Sequence, residues 1–150
     1  MRTLGPWVLL LGVLGLALAQ RVAPDFTRFY PYEEARALAE EHDRVLLLYF
    51  RSLHCPYCEQ METFVLAEPE VLDLFARCYV VGMVTLERPD GPPRFRAHQV
   101  AGTPVFIWMA PADGAFRELG RVFGSMPKAR FLEYLKRYCE EGEDEPQAVS

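Results

Sequence analysis

One stretch constrains the fold more than any other: a continuous apolar run, Val45 to Phe50, that leads into a C-x-x-C motif. The run is short and has charged flanks, a pattern that indicates a β-strand buried on both faces. A helical pattern begins at Pro56, directly after the loop that carries the first cysteine. The sequence therefore predicts a buried strand followed by a helix, with the two cysteines at their junction.

The rest of the chain predicts alternating helices and strands. The expected elements are a helix at 31–41, a strand at 45–50, helices at 56–66 and 69–77, a strand at 79–84, a short helix at 94–99, strands at 105–109 and 116–122, and a helix at 127–140. The first two strands, joined by helices, form a parallel βαβ unit. A hairpin turn at 112–114 and the last helix complete a ββα unit. The expected fold class is α/β, with a mixed central sheet flanked by helices.

Residues 1–19 have the pattern of a secretory signal peptide. Leu4 to Ala19 carry no charge and end in Ala17-Leu18-Ala19, the A-x-A pattern of a cleavage site. We expect cleavage after Ala19; the alternative is an uncleaved N-terminal anchor. Export places the protein in the periplasm or another extracytoplasmic compartment, where disulfides form and persist.

Length and composition predict one folded domain. The chain has 150 residues, 51% of them hydrophobic and 25% charged, which is typical of a globular protein. We expect a lead-in at 20–30, a domain at 31–140 and an acidic flexible tail at 141–150. The net charge of -5 argues against a nucleic-acid partner. A monomer is expected.

The C-x-x-C motif predicts thiol chemistry. Cys55 lies at a helix start, where free N–H groups and the helix dipole favour an anion, so we expect a lowered thiol pKa. Pro56 suits the first helical position, where a missing N–H costs nothing. Cys58 follows one turn later and is placed to attack a mixed disulfide formed at Cys55. The expected roles are Cys55 as nucleophile and Cys58 as resolving thiol.

Two neighbours of the cysteines are expected to shape the site. Two roles stay open for His54: it stabilises the Cys55 thiolate, or it is an exposed loop histidine. Tyr57 is expected to shape the surface rather than to react.

A C-x-x-C motif can also be half of a zinc site. The remaining candidate ligands are Cys78, Cys139, His42, His54 and His98. They form neither a second C-x-x-C nor an H-x-x-x-H pattern, so a four-ligand zinc site is the less favoured interpretation and we expect no bound metal.

Two motifs together carry a resemblance to thioredoxin-fold proteins. Cys55-Pro56-Tyr57-Cys58 after a buried strand resembles the family's redox motif, and the segment 100–106 is similar to its V-x-G-T-P-T-F segment. The ββα finish with Gly120 and Gly124 also fits. The similarity covers roughly residues 31–140. With its predicted export, its single domain, the Pro56-Tyr57 dipeptide between the cysteines and a helix before the first long strand, the chain resembles the SoxW-type periplasmic thioredoxins.

The resemblance implies an exported thiol–disulfide oxidoreductase that acts on protein thiols and disulfides, with the reductase direction favoured. It implies a membrane-embedded thiol carrier as electron donor and no bound cofactor. It also implies that Thr103 offers its backbone to an extended substrate segment. Local sequence alone favours a trans bond before Pro104, whereas the resemblance implies a cis bond beside Cys55.

The chain departs from the thioredoxin pattern at Tyr49, where thioredoxins keep a buried acid. Proton transfer to Cys58 must then use another group or water. Glu59 and Glu62 are the nearest acids in the sequence, and we expect both to lie on a solvated helix face.

Cys78 and Cys139 are expected at the end of a thioredoxin-like domain opposite Cys55, on helices that share one face of the sheet. A Cys78–Cys139 disulfide is favoured, because the expected compartment is oxidising. The alternative is two buried free thiols that pack as small apolar residues.

A function from another class stays open: a thioredoxin-fold metal-binding or chaperone module with Cys55 and Cys58 as soft ligands. Stoichiometric metal in the purified protein would favour that module, whereas loss of exchange activity in Cys55→Ser would favour the enzyme.

Overall fold

A computed structural model of the chain describes residues 22–143. The predicted signal peptide at 1–19 lies outside the described residues, as does most of the predicted tail. None of the described helices is long and apolar enough to cross a membrane.

The described chain alternates helices and strands around one sheet. The elements are β1 (Phe29–Pro31), α1 (Tyr32–Glu41), β2 (Val45–Arg51), α2 (Pro56–Phe64), α3 (Pro69–Cys78), β3 (Tyr79–Thr85), α4 (Gly91–Ala97), β4 (Val105–Ala112), β5 (Ala115–Phe123) and α5 (Lys128–Glu143). The strand order is β1-β3-β2-β4-β5. β1, β2 and β3 run parallel, whereas β4 and β5 continue the sheet in antiparallel pairs. This arrangement confirms the predicted α/β fold with a mixed sheet.

β2 lies at the centre of the sheet and of the core. Its residues from Val45 to Phe50 are all buried. Val45, Leu47 and Tyr49 belong to the core on one face, which α2, α3 and α5 cover. The alternate residues belong to a second core on the face that α1 and α4 cover. The continuous apolar run is explained by this double cover, because a strand between two helical layers has no solvent-facing side.

The main departure from the predicted elements is β1, which falls in the segment expected to be an irregular lead-in. Phe29 pairs with Val81 at the edge of the sheet, and Tyr30 is buried. A strand of three residues is too short to show an alternating pattern, so the sequence offered little signal for it. At the other end, α5 continues to Glu143, into the segment expected to be a tail.

Strand register separates two ends of the sheet. Arg51 pairs with Thr85 and Phe50 with Val105, so the chain segments after β2 and β3 and before β4 meet at one end. At the opposite end, Val45 pairs with Tyr79, the residue after Cys78.

Cys78 and Cys139 form a disulfide with a Cα–Cα distance of 5.5 Å. This bridge joins the end of α3 to α5 at the end of the sheet far from the C-x-x-C motif. Of the two alternatives that the sequence left open, the structure contains the disulfide.

Candidate active site

Cys55 and Cys58 form a disulfide at the junction of β2 and α2, with a Cα–Cα distance of 5.2 Å. Cys55 caps the N-terminus of α2, and Pro56 takes the first helical position. The Cys55 Sγ accepts a hydrogen bond from the Cys58 N–H at 3.1 Å. Cys55 is 6% exposed, whereas Cys58 is 0% exposed. Cys55 is therefore the more accessible residue of the pair, and Cys58 is fully buried.

The start of α2 favours negative charge on the Cys55 sulfur. The Cys58 N–H is one of the helix's first amides, which have no partner within the helix. After reduction, the same amide and the helix dipole stabilise a thiolate at Cys55. The roles of Cys55 as nucleophile and Cys58 as resolving thiol stay a prediction.

Exposed apolar side chains flank the disulfide in the sequence. Tyr57 is 60% exposed and Leu53 is 56% exposed, one on each side of Cys55 in the sequence. Phe64, at the end of α2, is also exposed and lines a groove with Met126. His54 and Pro56 are exposed as well. Exposed apolar side chains grouped in this way are typical of a surface that binds another protein.

The Thr103–Pro104 peptide bond is cis, as the resemblance implied. Pro104 is buried and its carbonyl accepts a hydrogen bond from the Gly124 N–H at 2.9 Å. Gly124 has a φ of 95°, a conformation that favours glycine. Because Val105 pairs with Phe50, the Thr103–Pro104 segment lies at the same end of the sheet as Cys55.

A protein-family model described as "Thioredoxin-like domain" matches residues 32–138, nearly the whole described chain. The chain belongs to this thioredoxin-like family. Thioredoxin-fold proteins with a C-x-x-C pair are typically thiol–disulfide oxidoreductases. A search of curated proteins found no match.

Solved structures agree with this thioredoxin-like assignment. A thioredoxin from Thermus thermophilus has 48% sequence identity and a TM-score of 0.73, with 77% of this chain and 88% of that chain covered. A DsbH oxidoreductase has 16% identity and a TM-score of 0.63, with 81% and 92% covered. The reduced C-terminal domain of Neisseria meningitidis DsbD has 18% identity and a TM-score of 0.56, with 71% and 91% covered. The last two, at low identity, show the shared fold alone.

Tyr49 contacts an ion pair that joins β2 to α2. The Tyr49 hydroxyl donates a hydrogen bond to Glu62 Oε1 at 3.2 Å, and Arg51 Nε donates to the same oxygen at 2.6 Å. Burial, followed by the negative charge of Glu62, raises the pKa of Tyr49 far above its ordinary value. The expectation that Glu62 lies on a solvated helix face is wrong, because its side chain is only 29% exposed and ion-paired with Arg51. Glu59 is exposed, as expected.

Sequence reasoning missed Glu87, which follows β3. Its carboxylate accepts hydrogen bonds from the Ser52 hydroxyl and from the Leu53 N–H, the latter at 3.0 Å. The Ser52 hydroxyl and then the Leu53 N–H lower the pKa of Glu87 below its ordinary value. The available signal was topological: the segments after two neighbouring parallel strands meet at one end of a sheet.

Among residues 22–143, no group of three or more His, Cys, Asp or Glu side chains is placed to hold a metal ion.

Proposed function

We propose that this protein is an exported thiol–disulfide oxidoreductase that reduces protein disulfides with its Cys55–Cys58 pair. One observation carries the proposal: the two cysteines form a disulfide, with the more accessible residue, Cys55, at the N-terminus of α2 and Cys58 fully buried. A thiol that a partner can reach and that is stabilised as a thiolate is the form that attacks disulfides.

The reaction starts from the reduced pair. The Cys55 thiolate attacks one sulfur of the substrate disulfide, so that bond breaks and the first substrate thiolate leaves and takes up a proton. Cys58 then loses its proton and attacks the Cys55 sulfur. The Cys55–Cys58 disulfide forms as the bond to the substrate breaks, and the second substrate sulfur leaves as a thiolate that takes up a proton. Two electrons and two protons pass to the substrate.

Substrate binding is assigned to the surface beside the disulfide. Thr103 offers its backbone to an extended substrate segment by strand addition. The exposed Tyr57 and Leu53 side chains supply apolar contact next to Cys55.

The cellular setting is part of the proposal. The A-x-A pattern after an uncharged segment supports export. The Cys78–Cys139 disulfide supports an oxidising compartment, because such bridges are rare in the cytosol. We assign the protein to the periplasm or an equivalent space, as a SoxW-type thioredoxin that is re-reduced by a membrane-embedded thiol carrier and acts as a monomer.

The first test is the reduction potential of the Cys55–Cys58 pair, measured in thiol buffers with Cys78 and Cys139 replaced by Ser. A value near that of thioredoxin, about -270 mV, supports a reductase, whereas a value near about -120 mV makes the protein an oxidant. Cys55→Ser is the matched control. If no reversible two-electron couple is found and the purified protein carries stoichiometric metal, the metal-binding alternative replaces the redox function.

A further inference from the structure

The three residues between β2 and α2 are held by a single carboxylate. Ser52, Leu53 and His54 lie after the last paired residue of β2 and before the cap of α2. Because this loop ends at Cys55, its conformation decides where the attacking sulfur lies. Leu53 and His54 are exposed, so packing in the core does not fix them.

Glu87 reaches this loop from the neighbouring strand. The backbone contact between the two strands continues one step beyond β3, because the Leu86 N–H donates to the Arg51 carbonyl at 2.9 Å. Glu87 follows Leu86, and its side chain contacts the loop that follows β2. One carboxylate oxygen accepts from the Ser52 hydroxyl, and the other accepts from the Leu53 N–H at 3.0 Å.

The anchoring continues to the residue before the nucleophile. Ser52 Oγ, which donates its proton to Glu87, also accepts a hydrogen bond from the His54 N–H at 3.3 Å. The Glu87 carboxylate therefore fixes Leu53 directly and His54 through Ser52. Hydrogen bonds to a carboxylate are stronger than those between neutral groups.

We infer that Glu87 is a positioning residue for disulfide exchange: it holds the 52–54 loop so that the Cys55 sulfur meets the first N–H groups of α2. This inference rests on the proposed function, because it assigns Glu87 a part in the reaction of Cys55. Glu87 acts through the loop and takes no part in bond making.

Two ways for Glu87 to act on Cys55 have opposite consequences. As an anchor, the carboxylate keeps the thiolate against the helix N-terminus, so its loss raises the pH at which the thiolate forms. As a nearby negative charge, it opposes the thiolate, so its loss lowers that pH. The titratable and charged groups on β2, on α2 and on the adjoining segments next to Cys55 are Tyr49, Arg51, His54, Tyr57, Cys58, Glu59, Glu62, Glu87 and Arg88; Asp90 lies further along the β3–α4 segment.

The experiment measures the alkylation rate of Cys55 by iodoacetamide against pH in the fully reduced protein, with the modified cysteine identified by mass spectrometry. We compare Glu87→Ala, Ser52→Ala and Asp90→Asn. Ser52→Ala removes the hydroxyl link without a change of charge. Asp90→Asn removes a charge from the same β3–α4 segment, at a position whose side chain makes no cap hydrogen bond.

An anchor predicts that Glu87→Ala and Ser52→Ala both raise the midpoint by about half a pH unit, as expected for the loss of one hydrogen bond, while Asp90→Asn leaves it unchanged. The variant that combines Glu87→Ala with Ser52→Ala should shift the midpoint by less than the sum of the two single shifts, because both substitutions break the same Ser52–Glu87 hydrogen bond. The rate constant for reduction of a small disulfide should fall about tenfold in the single variants.

The inference is overturned if Glu87→Ala lowers the midpoint. It is also overturned if neither Glu87→Ala nor Ser52→Ala changes the midpoint. The alkylation readout needs no protein substrate. If wild-type protein reduces no protein disulfide, the proposed function fails, and the midpoints still decide whether Glu87 positions Cys55.

Discussion

The Tyr49 hydroxyl donates a hydrogen bond to the Glu62 carboxylate over 3.2 Å, and this contact ties the central strand to the helix that carries the active-site cysteines. Arg51 completes the arrangement through an ion pair with the same carboxylate at 2.6 Å. Glu62 lies one helical turn after Cys58, on the same side of α2. The contact therefore fixes α2 on β2 close to the resolving cysteine.

Glu62→Gln should destabilise the fold, whereas Glu59→Gln should not. The change weakens a charged hydrogen bond and leaves a mostly buried guanidinium without its carboxylate, so we expect a loss of about 1–3 kcal/mol in the free energy of unfolding. The exposed Glu59, on the same helix, is the matched control and should change it by less than about 0.5 kcal/mol. Urea unfolding of both variants measures the difference. Equal losses would contradict a structural role for the Glu62 contact.

Cys58→Ser should trap the reaction half-way. Without the resolving thiol, Cys55 still attacks a substrate disulfide, but the mixed disulfide has no internal route to resolution. We expect a stable covalent complex, visible as a mass increase on a non-reducing gel and lost on addition of dithiothreitol. Cys55→Ser should form none. A complex that forms through Cys58 in that variant would reverse the assigned roles.

Loss of the Cys78–Cys139 disulfide should lower stability but spare activity. The bridge closes a loop with a sequence separation of 61, and we expect the double Ser variant to lose about 2–4 kcal/mol. Because the bridge lies at the opposite end of the sheet, the exchange rate at 25 °C should stay within about twofold of wild type, since distant sites behave independently. Thermal unfolding and a disulfide-reduction assay check the two parts. A large loss of activity in a folded variant would show that this end of the sheet influences Cys55.

Stability should fall on mild acidification because of His98. Its Nε2 lies 2.7 Å from the Tyr32 hydroxyl. Burial, and then the positive charge of Arg121, lower the pKa of His98 below its usual 6.5. The unfolded chain therefore binds a proton at a higher pH than the folded chain, so stability is fully present above the unfolded pKa and declines as pH falls below it.

The check is urea unfolding between about pH 7.5 and pH 5, for wild type and His98→Gln. The variant should lose part of the pH dependence, and its stability should differ from wild type more at neutral pH than at pH 5. The exposed His42 offers a matched substitution, since His42→Gln also replaces a histidine but lies outside the core. Identical slopes in wild type and His98→Gln would contradict the assignment.

The elements of the fold were predictable to within a few residues, because their signals are local. Prolines mark the starts of α2 and α3, and the Asp113–Gly114 turn occurs between β4 and β5 as expected. Some helix and strand boundaries differ by a few residues from the predicted ones. α4 begins at Gly91 rather than Arg94, since Pro92 and Pro93 fit the first turn of a helix, where their missing N–H groups have no partner to lose.

Some residues of the candidate site could be predicted from the sequence and others could not. Cys55, Pro56 and Cys58 were found from the sequence because their spacing on one helix defines the chemistry. Glu62 was placed on a solvated face, because its helical position does not reveal that Arg51 and Tyr49 lie beneath it. Glu87 was not found at all, since it is 34 residues from Leu53 in the chain and meets it only after β2 and β3 pair.

By itself, the sequence determined what depends on neighbours along the chain: the buried central strand, the helix that starts beside Cys55, and the redox-competent spacing of Cys55 and Cys58. The tertiary structure decided what depends on groups far apart in the chain. It paired Phe29 with Val81, set the cis bond before Pro104 against a local preference for trans, and brought Glu87 to the active-site loop. The physical reason is that helix and strand patterns report burial, which is local and periodic, whereas hydrogen-bond partners are chosen only when the sheet is assembled.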